Sequence, residues 1–393
     1  MKIDTVTVYC LREKLENSFA FSQGLVNERT STIVKISTTN GLVGWGECFN
    51  QGLEPPEISA NIISSVFKNL IIGKDPRNVE HIWFEMYHLS RDYGRKGSVI
   101  SAISGIDIAI WDILGKFYKE PVYNLLGGAV RKKIKPYATG FYRKSDTLNV
   151  QDYIDEAQMH FKNGFSCMKV KLGFGINEDI EVYKEIHKVL EKKDIKLFVD
   201  TNHAYGRNEA IRLGLFLDKL ECGWYEEPVV PEDIDGYIEV KNKIKTPVAG
   251  GENEHTLFGF RDLIKKRAVD IAQPDLGSCG GITAMKHIIA LCVSEGIQIN
   301  PHVWGSSILQ SASLQILASL PVVNFNRNPF QEPLKTEFPT IENLYSNLKF
   351  RGLAKSENKL YAIIETDKSQ KFYKVGDSLD NGFVIQFISI EDG

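Results

Sequence analysis

Seven residues able to carry charge or move a proton stand at or near the ends of successive short apolar runs: Lys169, Lys171, Asp200, Glu226, Glu252, Asp275 and His302. Asp200, Glu226 and Glu252 are evenly spaced, 26 residues from one to the next. If each run is a strand of one sheet, that spacing puts three carboxylates side by side. Three anions so close raise one another's pKa unless a cation neutralises them. An all-oxygen donor set with room for water suits Mg²⁺, and no cysteine or paired histidine stands where zinc would need it. Asn202, two residues after Asp200, is expected on the same strand face as a support for the metal shell. Single acidic residues at a loop rim are usually just solvated; three in register on neighbouring strands favour the metal.

Lys169 and Lys171 flank Val170, so the strand period of two sends both amines to one face. Two adjacent ammonium groups depress each other's pKa, which predicts Lys171 as a base near neutral pH and Lys169 as a charge stabiliser. Asp275 beside His302 would fix the imidazole tautomer and raise the basicity of the far nitrogen. Glu337 follows a less regular run and, protonated, could hydrogen-bond a developing oxyanion. Bases on both sides of a divalent metal point to removal of the proton α to a carboxylate, giving an enediolate.

These residues need a scaffold that brings strand ends to one mouth. From Lys133 onward, strand patterns at Ile134–Thr139, Cys167–Leu172, Ile195–Asn202, Trp224–Glu227, Val248–Glu252, Asp270–Asp275 and Ile297–Val303, and one leading to Glu337, alternate with amphipathic helices such as Glu178–Lys192, Glu209–Leu220 and Ile282–Glu295. Eight such repeats predict an α/β fold, a (β/α)8 TIM-type barrel over residues 131–350, whose active site lies at the C-terminal strand ends. Residues 1–130 predict an α+β cap. It has strands at Ile3–Leu11 and Thr32–Glu47, the latter a hairpin with a two-residue Asn40-Gly41 turn, then helices at Glu57–Leu70, Val79–His88 and Val99–Phe117. Residues 351–393 return to strand-like sequence, at Lys359–Ile364 and Gly382–Ile390, and are expected to return to the cap.

Composition narrows the function class. The 393 residues are 43% hydrophobic and 25% charged, and 47 basic against 50 acidic residues give a net charge of −3. This balance argues against nucleic acid or a membrane surface as partner. Six scattered cysteines without a C-x-x-C pair suit free thiols, and no apolar leader or spanning run is evident. The expectation is a cytoplasmic homo-oligomer acting on a small carboxylate.

The chain also resembles a known family. Gly44-Trp45-Gly46-Glu47, Gly105 to Asp112 (GIDIAIWD), Lys169-Val170-Lys171, Glu226-Glu227-Pro228, Gly251-Glu252-Asn253, Gln273-Pro274-Asp275 and, more loosely, Thr336-Glu337-Phe338 are similar to motifs of the enolase superfamily, mandelate racemase subgroup. The resemblance implies a capping domain over a modified barrel, Mg²⁺ held by Asp200, Glu226 and Glu252, and acid/base roles for Lys171 and the His302–Asp275 pair. Within the subgroup, Lys169–Ile180, Glu226–Tyr237, Asp275–Gly281 and Pro301–Gly305 are similar to D-galactarolactone cycloisomerases. That implies ring opening of an acid-sugar lactone by β-elimination, with acid-sugar dehydration or 2-hydroxy-acid epimerisation as alternatives and non-catalytic binding as a remote one. Two departures concern the substrate's distal contacts and cap closure. Glu342-Asn343 and Leu344–Phe350 replace the usual Asp-Gly and Pro-rich run, and the Pro-Gly-Leu-Gly near the C-terminus is absent. Substrate choice would fall to cap loops at Ser18–Gln23 and Phe49–Glu54.

Overall fold

A computed structural model describes residues 1–321, together with the backbone of three later strands, Lys349–Ser356, Lys359–Thr366 and Ser369–Tyr373. The cap begins with an antiparallel sheet of β1 (Ile3–Phe21), β2 (Gly24–Thr38) and β3 (Val43–Cys48). β1 is longer than the alternation predicted, and it pairs with β2 as far as Phe21 opposite Gly24, which leaves Ser22-Gln23 as a two-residue tip. The expected two-residue turn at Asn40-Gly41 is instead a wider loop. Thr38 N–H bonds the Leu42 carbonyl at 2.9 Å, and only Gly41 takes a positive φ, 84°. One left-handed glycine after a turn is the geometry of a bulged hairpin loop.

β3 lies against the helix Ser98–Tyr118, which starts after Gly97 and ends at left-handed Lys119. That helix is buried on most of its circumference, as an apolar pattern without a wide polar stripe requires. It is also long and apolar enough to cross a membrane, but 83% of its apolar window is buried, as befits a core helix. Glycine is needed where the two backbones meet: a Cβ at Gly44 or Gly46 would lie 2.0 Å from the carbonyl oxygen of Ala109 or Gly105. Helices Glu57–Ile62, Lys68–Ile71 and Val79–Ser90 complete the cap, the first two joined by a π-helical turn at Ile63–Phe67.

The barrel strands are β4 (Ala138–Gly140), β5 (Cys167–Lys171), β6 (Lys196–Asp200), β7 (Tyr225–Glu226), β8 (Val248–Gly250), β9 (Ile271–Ala272) and β10 (Gln298–Ile299). All are parallel and ordered β10-β9-β8-β7-β6-β5-β4, the order of a (β/α)-barrel wall. Among the described residues the sheet has seven strands; the expected strand leading to Glu337 lies outside them, as does Gly382–Ile390. Intervening helices include Ile176–Leu190, Arg207–Leu217 and Gly281–Glu295, close to their predicted spans. Val170 packs outward in the main core, while Cys167, Phe198, Trp224, Ala249 and Ile271 form a separate inner layer beneath the site.

Cap and barrel form one compact unit. Trp83 Nε1–H bonds the Gly280 carbonyl at 2.7 Å, Gly280 N–H bonds Ser104 Oγ at 2.9 Å, and Asp107 accepts from both Thr283 N–H (2.9 Å) and Thr283 Oγ–H (2.6 Å). The second unit carries β11 (Lys349–Ser356), β12 (Lys359–Thr366) and β13 (Ser369–Tyr373), an antiparallel meander. Among the described residues, all six cysteines are free thiols and only Cys10 is exposed.

Candidate active site

The parallel ladder brings the ionisable residues together. Lys171 on β5 is opposite Asp200 on β6, which is opposite Glu226 on β7, one row across three strands. Glu252 follows β8 after Gly251, whose φ of 120° turns the chain inward. Carboxylate oxygens of Asp200, Glu226 and Glu252 lie within 4.8 Å of one another, and all three residues are buried. Asn202 is not on the strand face that the period of two suggested. β6 ends at Asp200, and Asn202 reaches the site from a left-handed turn with φ 43°. Its Nδ2 lies 3.3 Å from Glu252 Oε1, and its Oδ1 accepts from Lys171 Nζ at 2.9 Å.

The lysines differ from expectation in charge. Lys171 is ion-paired with Asp200, and Lys169 with Glu226 and, at 3.4 Å, Asp200. Burial disfavours both ammonium groups, but these carboxylates outweigh burial and the lysines' mutual repulsion, so both pKa values are raised, not depressed. The adjacency of two lysines is visible in sequence; the anions they face come from other strands. Asp200 is held well below the usual carboxylate range, because Lys171 and Lys169 overcome its burial. Glu226 moves the other way: burial, then Asp200 and Glu252, push its pKa up against the pull of Lys169.

On the other flank, His302 Nδ1 lies 2.7 Å from Asp275 Oδ2, and His302 Nε2 lies 3.5 Å from Glu252 Oε2. Both members of the pair stand three residues beyond the ends of β9 and β10, on loops. Burial disfavours the imidazolium, yet Glu252 and the Asp275 hydrogen bond raise its pKa. Glu337 lies outside the described residues.

The same region contains groups not singled out in sequence. Glu226 Oε2 accepts from Trp224 Nε1 at 2.9 Å and from Gln273 Nε2 at 2.8 Å. Trp224 had a readable signal, since a residue two positions before Glu226 shares its strand face. Glu227 is buried, accepts from Asn253 Nδ2 at 2.7 Å, and has its pKa driven up by burial and then by Glu252 and Asp200. Its left-handed φ of 45°, which turns it into the site, leaves no mark in composition. Above the charged floor lies a small cavity lined by Lys171, Asn202, Glu252 and His302 and walled by Phe21, Val26, Phe49, Gln51, Tyr142 and Trp304. Phe21, Phe49 and Gln51 lie in the two cap segments expected to govern substrate choice, Phe21 as the last residue of β1 and the other two on the loop after β3.

The donor set fits a hard divalent cation. Four buried carboxyl groups (Asp200, Glu226, Glu227 and Glu252) cluster near two buried ammonium groups, and a divalent cation there would favour the ionised forms of Glu226 and Glu227, whose pKa values are raised. Glu252 Oε2 is buried without a hydrogen-bond partner, an acceptor left over for a ligand.

Comparison with known proteins agrees with this geometry. Residues 3–127 match the mandelate racemase / muconate lactonizing enzyme N-terminal domain, and residues 152–348 match the enolase C-terminal domain-like family. A D-galactarolactone cycloisomerase of Agrobacterium fabrum is 37% identical over 350 residues, covering 86% of this chain and 91% of that protein. An arabinonate dehydratase of Saccharolobus solfataricus is 33% identical over 314 residues, covering 79% and 83%. Among solved structures, the 3,6-anhydro-D-galactonate cycloisomerase from Zobellia galactanivorans superposes with a TM-score of 0.74 at 37% identity, covering 81% of this chain and 85% of that one. A racemase from Streptomyces coelicolor A3(2) with bound magnesium gives 0.75 at 27% identity, covering 81% and 87%. The chain belongs to the enolase superfamily, in its mandelate racemase / muconate lactonizing enzyme branch, and, like the cycloisomerase and dehydratase it resembles, it is an enzyme of the isomerase or lyase class.

Proposed function

We propose that this protein opens a ring-closed acid sugar, a lactone or cyclic ether bearing one free carboxylate, by removing its α-proton and eliminating the β-oxygen. One observation carries the reading: a triad of carboxylates stands between two proton-transfer groups under an aromatic-walled cavity. Lys171 touches the triad at Asp200 and His302 touches it at Glu252. Asp200, Glu226 and Glu252 would hold Mg²⁺, with Asn202 in support. When bound there, Mg²⁺ supplies positive charge that acidifies the α-hydrogen of a chelating carboxylate and stabilises the charge left after its removal.

The chain's own groups then divide the work. The α-hydrogen is taken by His302 Nε2, since Asp200 holds Lys171 Nζ as the protonated partner. The C–H electrons form a double bond to the β-carbon, the ring C–O bond breaks, and Lys171 protonates the departing oxygen. Asp275, bonded to Nδ1, keeps Nε2 directed at the cavity and stabilises the imidazolium. Lys169 offsets negative charge at Glu226, and Glu337 is assigned as a hydrogen-bond donor to the carboxylate oxygen. Because the ring oxygen stays on the molecule, the net reaction is an isomerisation, and the product tautomerises to a keto acid.

The cavity wall favours a ring over an open polyol. Phe21, Val26, Phe49, Tyr142 and Trp304 offer apolar faces, with Gln51 as the polar exception. A compact ring presents C–H faces to such a wall, whereas an extended chain would bury hydroxyls without partners. The names of the cycloisomerase relatives support the same class; those of the dehydratase relatives support loss of water from an open-chain acid sugar as the second reading.

The test is incubation with Mg²⁺ in D₂O against acid sugars and their lactones or anhydro forms, followed by NMR. The expected result is a keto acid from a ring-closed substrate, with deuterium incorporation that stops on EDTA addition. Turnover of open-chain acids alone selects dehydration, recovery of both stereoisomers selects epimerisation, and exchange indifferent to EDTA refutes the metal role.

A further inference from the structure

The end of β3 in the cap and the residue that follows it, Phe49, are tied to both loops that carry the His302–Asp275 pair. β3 has no slack against the helix Ser98–Tyr118, because Gly44 and Gly46 lie directly on its carbonyls. Glu47, the next residue, is buried, and its carboxylate crosses to the barrel. It accepts from Ser306 N–H (2.9 Å to Oε1 and 3.1 Å to Oε2), from Ser306 Oγ–H (2.6 Å) and from Leu309 N–H (3.1 Å), and also from Ser31 Oγ–H. Ser306 caps the helix Ser307–Ser319, so an anion from the cap sits at a barrel helix's N-terminus, where the unpaired N–H groups favour negative charge.

That helix begins just after the loop of interest. His302 is four residues upstream of Ser306, and Trp304, between them, donates its N–H to Asp275 Oδ2 at 3.2 Å. A Cβ at Gly305 would lie 2.8 Å from Leu309 and 3.1 Å from Glu47 Oε1, so the loop is packed tight against the carboxylate. Two residues beyond Glu47, the Phe49 ring stands edge-on to the His302 ring with centroids 6.1 Å apart. Phe49 N–H bonds the Gly277 carbonyl at 3.0 Å, and Gly277 N–H bonds Asp275 Oδ1 at 2.7 Å. Glu47 itself does not line the cavity.

We propose that Glu47 is a positioning residue for the His302–Asp275 pair: by anchoring Ser306 and Leu309 to the cap, it sets where the His302 loop stands over the carboxylate triad. The imidazole is then aligned only when the cap is seated. This assignment rests on reading His302–Asp275 as the acid/base pair, but its first test needs no substrate.

In Glu47→Gln one acceptor oxygen becomes an amide donor, which cannot face Ser306 N–H or Leu309 N–H. The readout is the low-field proton resonance of His302 Nδ1–H bonded to Asp275, identified by its loss in His302→Asn. In Glu47→Gln it is expected to shift or vanish, while Mg²⁺ affinity measured by calorimetry stays within about twofold of native. With a substrate in hand, kcat is expected to fall about 100-fold with KM little changed, the size that a small misplacement of a reacting group produces. Asn149→Ala removes the cap of the distant helix Val150–Lys162 and should lower stability without moving the resonance. If Glu47→Gln does not fold, Ser306→Ala, which keeps the carboxylate but loses its hydroxyl bond, should shift the same resonance by a smaller amount. An unmoved resonance in a folded Glu47→Gln, or in Ser306→Ala, overturns the proposal. Failure to find any substrate would count against the proposed reaction and leave this result standing.

Discussion

On the floor of the cavity, Lys171, Asp200 and Glu226 face one another across a continuous backbone ladder. Its rim is built differently: Phe21 and Phe49 come from the cap, and Trp304 and His302 from a barrel loop, joined by side-chain and turn hydrogen bonds across the two layers. A ladder fixes positions whatever the side chains are, so the floor can carry chemistry that tolerates no drift. The rim can change its residues without disturbing that ladder, which suits it to substrate choice.

Replacements on the floor, and of His302, the rim residue that transfers a proton, should therefore have the largest effects. Lys171→Ala or His302→Asn is expected to lower turnover by about 10²- to 10⁴-fold, the range for losing a general acid or base, and stopped α-hydrogen exchange in D₂O would register it. Asp200→Asn leaves the buried Lys171 ammonium without its carboxylate partner and should also cost about 3–5 kcal/mol in urea unfolding. Unfolding of this variant at the native midpoint would mean that the ladder, not the ion pairs, sets the floor's stability.

Between floor and rim lies the contact layer of cap and barrel, where Asp107 bonds Thr283. Burial, opposed by the Thr283 bonds, pushes the Asp107 pKa up to about 7. A carboxyl whose pKa is higher folded than unfolded binds more protons in the folded state between about pH 4 and 7, so its contribution falls as pH rises through that window. Thermal melts should show this fall, about 4 kcal/mol at most by linkage, and Asp107→Asn should flatten it. A slope unchanged in that variant would place the titration elsewhere.

Supports of the floor come next. Trp224→Phe removes one of two side-chain donors to Glu226 Oε2 and should weaken Mg²⁺ binding about 10-fold, the low end for groups that orient a metal ligand. Smallest in turnover are rim changes. Phe49→Leu or Trp304→Leu should raise KM for a ring-closed substrate about 10-fold, with less change for an open-chain acid. Equal losses for both substrates would remove the distinction between floor and rim.

Legibility in the sequence follows the same division. Asp200 and Glu226 could be placed because each closes a strand and the repeat between strands is regular, and the period of two correctly put Lys169 and Lys171 on one inner face. Their charge state could not be read, because it depends on carboxylates that are distant along the chain and adjacent only through the ladder. Asn202 and Glu227 reach the site through left-handed turns without glycine, so neither spacing nor composition marks them. The cap loops were recognisable as regions, but that Phe21 and Phe49 face the cavity depends on how the β1–β2 hairpin and β3 meet the barrel. Glu47 is conspicuous in its motif, yet its barrel partners, Ser306 and Leu309, lie more than 250 residues away.

The tip of the β1–β2 hairpin bears on how the molecule comes into being. Ser22 Oγ–H bonds the Thr201 carbonyl at 2.9 Å and Gln23 Nε2–H bonds the Asn202 carbonyl at 2.8 Å, contacts spanning 179 residues of chain. Contacts of that span must close a long loop before they return any stabilisation, so they form late. During synthesis the hairpin emerges well before its acceptors exist and must wait with its apolar edge uncovered. Refolding followed by pulsed hydrogen exchange should then find β5 and β6 protected before the segment from Phe19 to Val26, so that the enzyme acquires its chemistry before its selectivity.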